Sequence, residues 1–230
     1  MLGQLASPPR FHALASWLWV WLLAAGALLL AFGLYTGLYL APVDVQQGEV
    51  YRAIYVHVPA AWMSMFLYLV ACGYAMLNWV YRSDVSAVLM RALLPTGAWM
   101  TALALVTGAL WGKPTWGTYW VWDARMTSEL LLLFIYLGLM ALSQLATDPA
   151  KADRIVSIGL LIGAVNIPLI YLSVVFWNTL HQGYSVSMSG NRIHPEIATG
   201  MWLCVLGFWL VCASTVLNRA RRLLVQRRWA

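Results

Sequence analysis

Long apolar runs, each about the length of a membrane crossing, alternate along this chain with short polar segments. A helix needs roughly 20 apolar residues to cross the hydrocarbon core, where free backbone N–H and C=O groups find no partner. Six stretches reach that length, at 17–40, 58–80, 92–110, 127–146, 155–179 and 198–217. The pattern predicts an all-α, polytopic membrane protein with six transmembrane helices, forming a single membrane domain over 1–230. The first run starts too far from the beginning, runs too long and lacks a small-residue cleavage site, so it is expected to stay as a span.

Composition supports this reading. Of the 230 residues 62% are hydrophobic and 10% charged, more apolar surface than one soluble core can bury. Six spans put both termini on one side, and the Lys/Arg distribution chooses the side. With both termini cytoplasmic, Arg10, Arg82, Arg91, Lys151, Arg154, Arg219, Arg221, Arg222, Arg227 and Arg228 lie inside, and Arg52, Lys113, Arg125 and Arg192 outside. The net charge of +6 is then mostly topology plus a basic cytoplasmic tail at 218–230, suited to anionic membrane lipid or a cytoplasmic partner and poorly to nucleic acid. Cys72, Cys204 and Cys212 fall inside spans with no Cys-x-x-Cys spacing, which reads as buried structural thiols. No phosphate-binding G-x-x-x-x-G-K-[ST] loop occurs, so an ATP-driven step would need another subunit.

The inward connections, YRSDVSAVLMR and TDPAKADR, are plain charged turns, whereas the outward ones concentrate polar and aromatic chemistry. His57, in IYVHVPAAWMS, sits where the second span begins, with Pro59 suited to a first helical turn. His181, in FWNTLHQG, sits where the fifth span ends, with Gly183 placed as a helix stop. Both are expected at one depth near the outer surface. A lone interfacial histidine most simply snorkels or bonds a neighbour; two level ones on different helices make a metal-ligand pair a stronger reading. His194 is a third outer candidate, and His12, beside Arg10, carries little functional weight.

Between these histidines runs an outward tryptophan-rich loop at 112–126, containing WGTYWVWDAR. Indoles commonly form a belt at the lipid headgroups. Here Trp111, Trp116, Trp120 and Trp122 fall within twelve residues, alongside Gly112, Pro114 and Gly117 and a charged finish of Asp123 and Arg125. Asp123 can cap the next helix, and Glu129 suits its first turn. The same residues also suit a flat ligand: aromatic faces stack on it, and a guanidinium fork pairs with its carboxylates. Haem meets that description, as a planar ring with two propionates whose iron takes axial imidazoles.

WGxxWxWDxR, here Trp116, Gly117, Trp120, Trp122, Asp123 and Arg125, resembles the signature of the tryptophan-rich haem-handling family of cytochrome c biogenesis. Six spans and the segments YVHVPAAWMS, WGKP, TSELLLLFIY and WNTLHQG resemble its CcmC branch in particular. The resemblance implies a protein of the bacterial inner membrane that binds haem b non-covalently at the periplasmic face and delivers it to the haem chaperone CcmE. Catalysis is not implied beyond assistance to covalent attachment of haem to that chaperone. The axial iron ligands implied are His57 and His181; the haem platform and chaperone contact are Trp116, Tyr119, Trp120, Trp122, Asp123 and Arg125. Partners implied are CcmE, the ABC-transporter subunits CcmA and CcmB, and the small membrane subunit CcmD. The chain departs from the family pattern with Tyr119 and Phe176 in place of tryptophan and Met126 in place of leucine; both aromatic changes keep a stacking face.

Two alternatives stay open from sequence. A haem-bearing electron-transfer subunit of a respiratory complex would clamp its haem between helices within the membrane. A small-molecule transporter would carry polar groups at mid-membrane, where Asn166, with Pro168, is the one hint of a broken helix and is more simply bonded to a neighbouring helix.

Overall fold

The computed structural model describes residues 7–177, 179–181, 186–187, 190–191 and 193–229. Helix α1 (Pro8–Tyr35) starts on two prolines, whose fixed φ and missing N–H suit a first turn, and runs into a π-helical turn at Thr36–Leu40. A 3₁₀ turn, Glu49–Ala53, leads into α2 (Ile54–Tyr81), which Arg82 ends in a left-handed conformation at φ 48°. Then come α3 (Asp84–Trp116), α4 (Ala124–Leu145), α5 (Pro149–Gly163), α6 (Asn166–Phe176) and α7 (Pro195–Trp229). Among the described residues Val186–Ser187 pairs antiparallel with Gly190–Asn191, and Asp44 and Gly48 form an isolated bridge.

Six helical segments, with α5 and α6 together forming the fifth, are long and apolar enough to cross a membrane. The protein is a multi-pass membrane protein of all-α architecture. Six crossings bring the start of α1, the end of α7 and the α2–α3 and α4–α5 connections to one end of the bundle, where Arg227 bonds Asp153 (2.6 Å) and approaches Asp84 (4.0 Å).

Several boundaries extend beyond the apolar runs. The third span, expected to stop near residue 110, continues as helix to Trp116, where Gly117, at φ 80°, bonds back to Lys113 C=O and ends it. Pro59 stands inside α2 rather than in its first turn, because the helix begins at Ile54. Within 218–230 the helix runs through Trp229, and Arg219 bonds Ala92 C=O and Thr96 Oγ1, so α7 continues along α3 instead of ending at the span. The fifth span breaks after Gly163, consistent with Pro168, which has no N–H for the carbonyl four residues earlier. Asn166 there donates to Ser128 C=O at 2.9 Å, the neighbouring-helix bond expected of it.

Close helix approach rests on glycine, since lipid supplies little hydrophobic drive between helices and packing must be tight. Gly33 of α1 lies against Cys204 of α7, and a Cβ at Gly97 would come within 2.2 Å of the Tyr136 ring. Tyr136 is fully buried and donates to Ser64 C=O at 2.8 Å, joining α4 to α2. Gly97→Val should therefore lower the midpoint of thermal denaturation, at an overpacking cost of about 1–3 kcal/mol. Gly138→Val, where nothing lies within 4 Å, should leave it near wild type. Equal losses in both would point to helix propensity rather than the Tyr136 contact. All three cysteines are free and buried.

Candidate ligand site at one end of the bundle

His57 occupies the first turns of α2, and its ring lies against one face of α3. Nδ1 is 3.1 Å from both Ala104 C=O and Thr107 Oγ1. A carbonyl oxygen only accepts, so Nδ1 carries the proton and Nε2 holds the lone pair. A second interaction that fixes the tautomer is what a ligating imidazole ordinarily has. The face that does this is Ala104, Thr107, Gly108 and Trp111, spaced to lie on one side of a helix. Gly108 leaves room for the ring, since a Cβ there would stand 2.9 Å from His57 Cε1. Trp111 meets the ring edge-on at 5.6 Å and donates its indole N–H to Gln47 Oε1 at 2.7 Å, tying the segment between α1 and α2 to the same spot.

His181 follows α6, its backbone N–H donating to Thr179 Oγ1 at 2.9 Å. Its ring centroid is 6.3 Å from that of His57 and 6.5 Å from that of Trp116. Two imidazoles some 125 residues apart in sequence therefore face each other across one cavity. Gly183, expected to stop the fifth span, lies outside the described residues.

The cavity, about 240 Å³, is lined by apolar residues of α2, α3 and α6 together with His57, His181, Trp116, Asp123, Arg125 and Glu129. Pockets for organic ligands run roughly 300–1,000 Å³, so a large flat ligand would project beyond the walls. Arg125 donates from Nη1 to Ile170 C=O at 2.9 Å. Asp123 caps α4, accepting from Met126 N–H at 2.8 Å.

Of the eight residues singled out by sequence, His57, His181, Trp116, Asp123 and Arg125 line this cavity, while Tyr119, Trp120 and Trp122 stand outside it on the adjoining loop. Trp120 and Trp122 meet edge-on at 5.3 Å, and Trp122 is 77% exposed. Tyr119 is exposed, with Lys113 Nζ 5.3 Å above its ring. The buried Trp120 indole N–H has no partner among the described residues. His194 is exposed, 3.6 Å from Glu196, and does not line the cavity.

Sequence reasoning passed over the Ala104–Thr107–Gly108 face and Glu129. Glu129 lies in the sixth position of α4, buried and bonded to Ser64 Oγ, rather than in the first turn where it would serve the helix dipole. The spacing of small residues at 104, 107 and 108 ahead of Trp111 was the available signal for the first; for the second it was an acidic residue inside the apolar run 127–146.

Two imidazoles are too few for a bare ion such as zinc, which takes three or four protein ligands. No cluster of three or more His, Cys, Asp or Glu suited to a metal occurs among the described residues. The donor set fits a metal that brings in-plane ligands of its own and leaves two axial positions, which is the donor demand of haem iron.

Residues 1–230 match the family described as CcmC, heme exporter protein C. Similar proteins include heme exporter protein C of Escherichia coli (strain K12), 45% identical over 224 residues that cover 97% of this chain and 91% of the relative. Heme exporter protein C of Bradyrhizobium diazoefficiens is 44% identical over 228 residues, 99% of this chain and 86% of the relative. A putative cytochrome c biosynthesis ccmC-like mitochondrial protein of Marchantia polymorpha is 41% identical over 197 residues, 86% of this chain and 84% of the relative. Whole-length agreement with the family, carried by a chain with six membrane-crossing helices, means that this protein belongs to the heme exporter protein C family.

Proposed function

We propose that the protein binds haem at the outer end of its helix bundle and delivers it to the chaperone CcmE for c-type cytochrome biogenesis. His57 and His181 are the axial ligands of the iron, Arg125 pairs with a propionate, and Trp116 packs against the ring. The observation that carries this reading is the facing pair of imidazoles at 6.3 Å, one of them with its tautomer set for ligation through Nε2. With both axial positions filled, the iron is closed to oxygen, which suits custody of haem rather than oxygen chemistry.

The membrane is the bacterial inner membrane. Both termini face the cytoplasm, in line with the Lys/Arg bias, and the cavity opens on the periplasmic side. Trp120 and Trp122, outside the cavity on an exposed loop, form the surface that meets the chaperone. The buried Trp120 N–H is a donor that the chaperone or the haem edge would satisfy. CcmA, CcmB and CcmD complete the assembly, CcmA supplying the ATP-binding loop absent from this chain.

Protein purified after expression with ample haem should show a low-spin haem spectrum. Trp120→Ala and Trp122→Ala should keep that spectrum while cutting haem transfer to the chaperone severalfold. Full chaperone loading by the double variant would leave these two tryptophans as a headgroup belt. Absence of haem from the wild type would remove the haem reading altogether.

A further inference from the structure

Arg125 and Glu129 stand one helical turn apart on α4, and both line the cavity. Arg125 is the only Lys or Arg among the described residues that do so. Glu129 is 8% exposed, its Oε1 accepting from Ser64 Oγ at 2.7 Å. Ser64 in turn is held by Tyr136, which donates to its carbonyl. An ionisable side chain on a membrane-spanning helix is costly; where one persists it faces a bundle interior or cavity and has a partner. The chain's other strongly buried carboxylate, Asp153, has two arginines, Arg227 at 2.6 Å and Arg91 at 3.5 Å. Glu129 has a serine hydroxyl and, across one turn of helix, the guanidinium that the cavity also offers to an anionic ligand.

We infer that Glu129 sets how firmly the site holds a cargo carboxylate, by competing with it for Arg125. An arginine–carboxylate pair in a water-poor cavity is strong, which suits capture and hinders release. Glu129, one helical turn from Arg125 and lining the same cavity, puts a second carboxyl beside that guanidinium, whose Nη1 also donates to Ile170 C=O, so that carboxylate-bearing cargo is held and still passed on. Ser64 moderates the competition by engaging the Glu129 carboxyl. This inference rests on the haem reading above, with the two propionates as the cargo carboxylates.

The test is haem release from the purified, haem-loaded protein to excess apomyoglobin, followed by absorbance. Glu129→Gln keeps an acceptor for Ser64 Oγ and removes the competing charge; it should release haem about tenfold more slowly than wild type, the scale of one close charge pair. Ser64→Ala frees the carboxyl to engage Arg125 and should change the rate in the opposite sense. Arg125→Gln should release faster than wild type, and adding Glu129→Gln to it should then change nothing. Haem dimethyl ester, with its carboxylates masked, should leave wild type and Glu129→Gln at equal rates. Release from Glu129→Gln at the wild-type rate or faster overturns the inference, as does a slowing that persists without Arg125 or with the diester. Should Glu129→Gln fail to fold, slower release from Ser64→Ala overturns it. A wild type that takes up no haem overturns the haem reading and this inference with it, whereas a haem-loaded wild type with unresponsive variants overturns the inference alone.

Discussion

Replacing either His57 or His181 by alanine should abolish the low-spin haem spectrum, and replacing both should leave the purified protein essentially without haem. The two imidazoles face each other across a single cavity at 6.3 Å between ring centroids, and His57 keeps its Nε2 lone pair because Nδ1 is committed to Ala104 C=O. With both imidazoles proposed as ligands, each single variant would leave one of them, and a low-spin state that needs both would be lost even where some haem stays bound. Imidazole added to His57→Gly or His181→Gly should restore the low-spin spectrum, a recovery that a misfolded variant would not give. The cost to the fold is small by comparison: losing the His57 bonds to α3 removes about 1 kcal/mol of net hydrogen bonding. Thermal denaturation should therefore move little while the spectrum changes completely. Low-spin haem persisting unchanged in both alanine variants would sink the ligand assignment.

The helices were legible in sequence because membrane crossing imposes a length that composition alone reveals, and all six appear. Their ends were less so. Trp111 and Trp116 read as loop residues from hydropathy, yet the backbone stays helical through Trp116, where Gly117 rather than a loss of apolarity ends α3. The histidines could be placed at one depth because each adjoins a span end, whereas their facing orientation depends on the tertiary packing of α2, α3 and the segment after α6. The tryptophan signature divides in space for the same reason. Trp116 belongs to a helix end that turns toward His181, while Trp120 and Trp122 follow the left-handed glycine and leave on a loop. Sequence spacing treats them alike; the backbone direction after Gly117 separates them. Glu129 stood out locally only as an acidic residue inside an apolar run; its partner, Ser64, is 65 residues away on another helix and could not be read from sequence.

Gly108→Val should deprive the site of haem by displacing the ring of His57 without replacing either proposed ligand. An ideal Cβ at residue 108 would sit 2.9 Å from His57 Cε1, closer than real Cβ atoms approach, with Nδ1 3.4 Å away, so the imidazole must move away from α3. Moving it lengthens the bonds to Ala104 C=O and Thr107 Oγ1 that set its tautomer and aim, and it crowds Trp111, which meets the same ring edge-on. Overpacking of this kind costs about 1–3 kcal/mol, which a membrane bundle of six helices should survive folded. The expected result is a folded protein with a slightly lowered denaturation midpoint and at least tenfold weaker haem retention, since about 1.4 kcal/mol of lost ligation is already a factor of ten. Gly108→Ala, with one methyl to accommodate, should lie between this variant and wild type. Gly73→Val carries the same change of residue on α2 at a position with nothing within 4 Å, and should keep full haem occupancy. Normal haem retention in Gly108→Val would mean that the ring tolerates the displacement, and that α3 supports His57 without deciding whether it ligates.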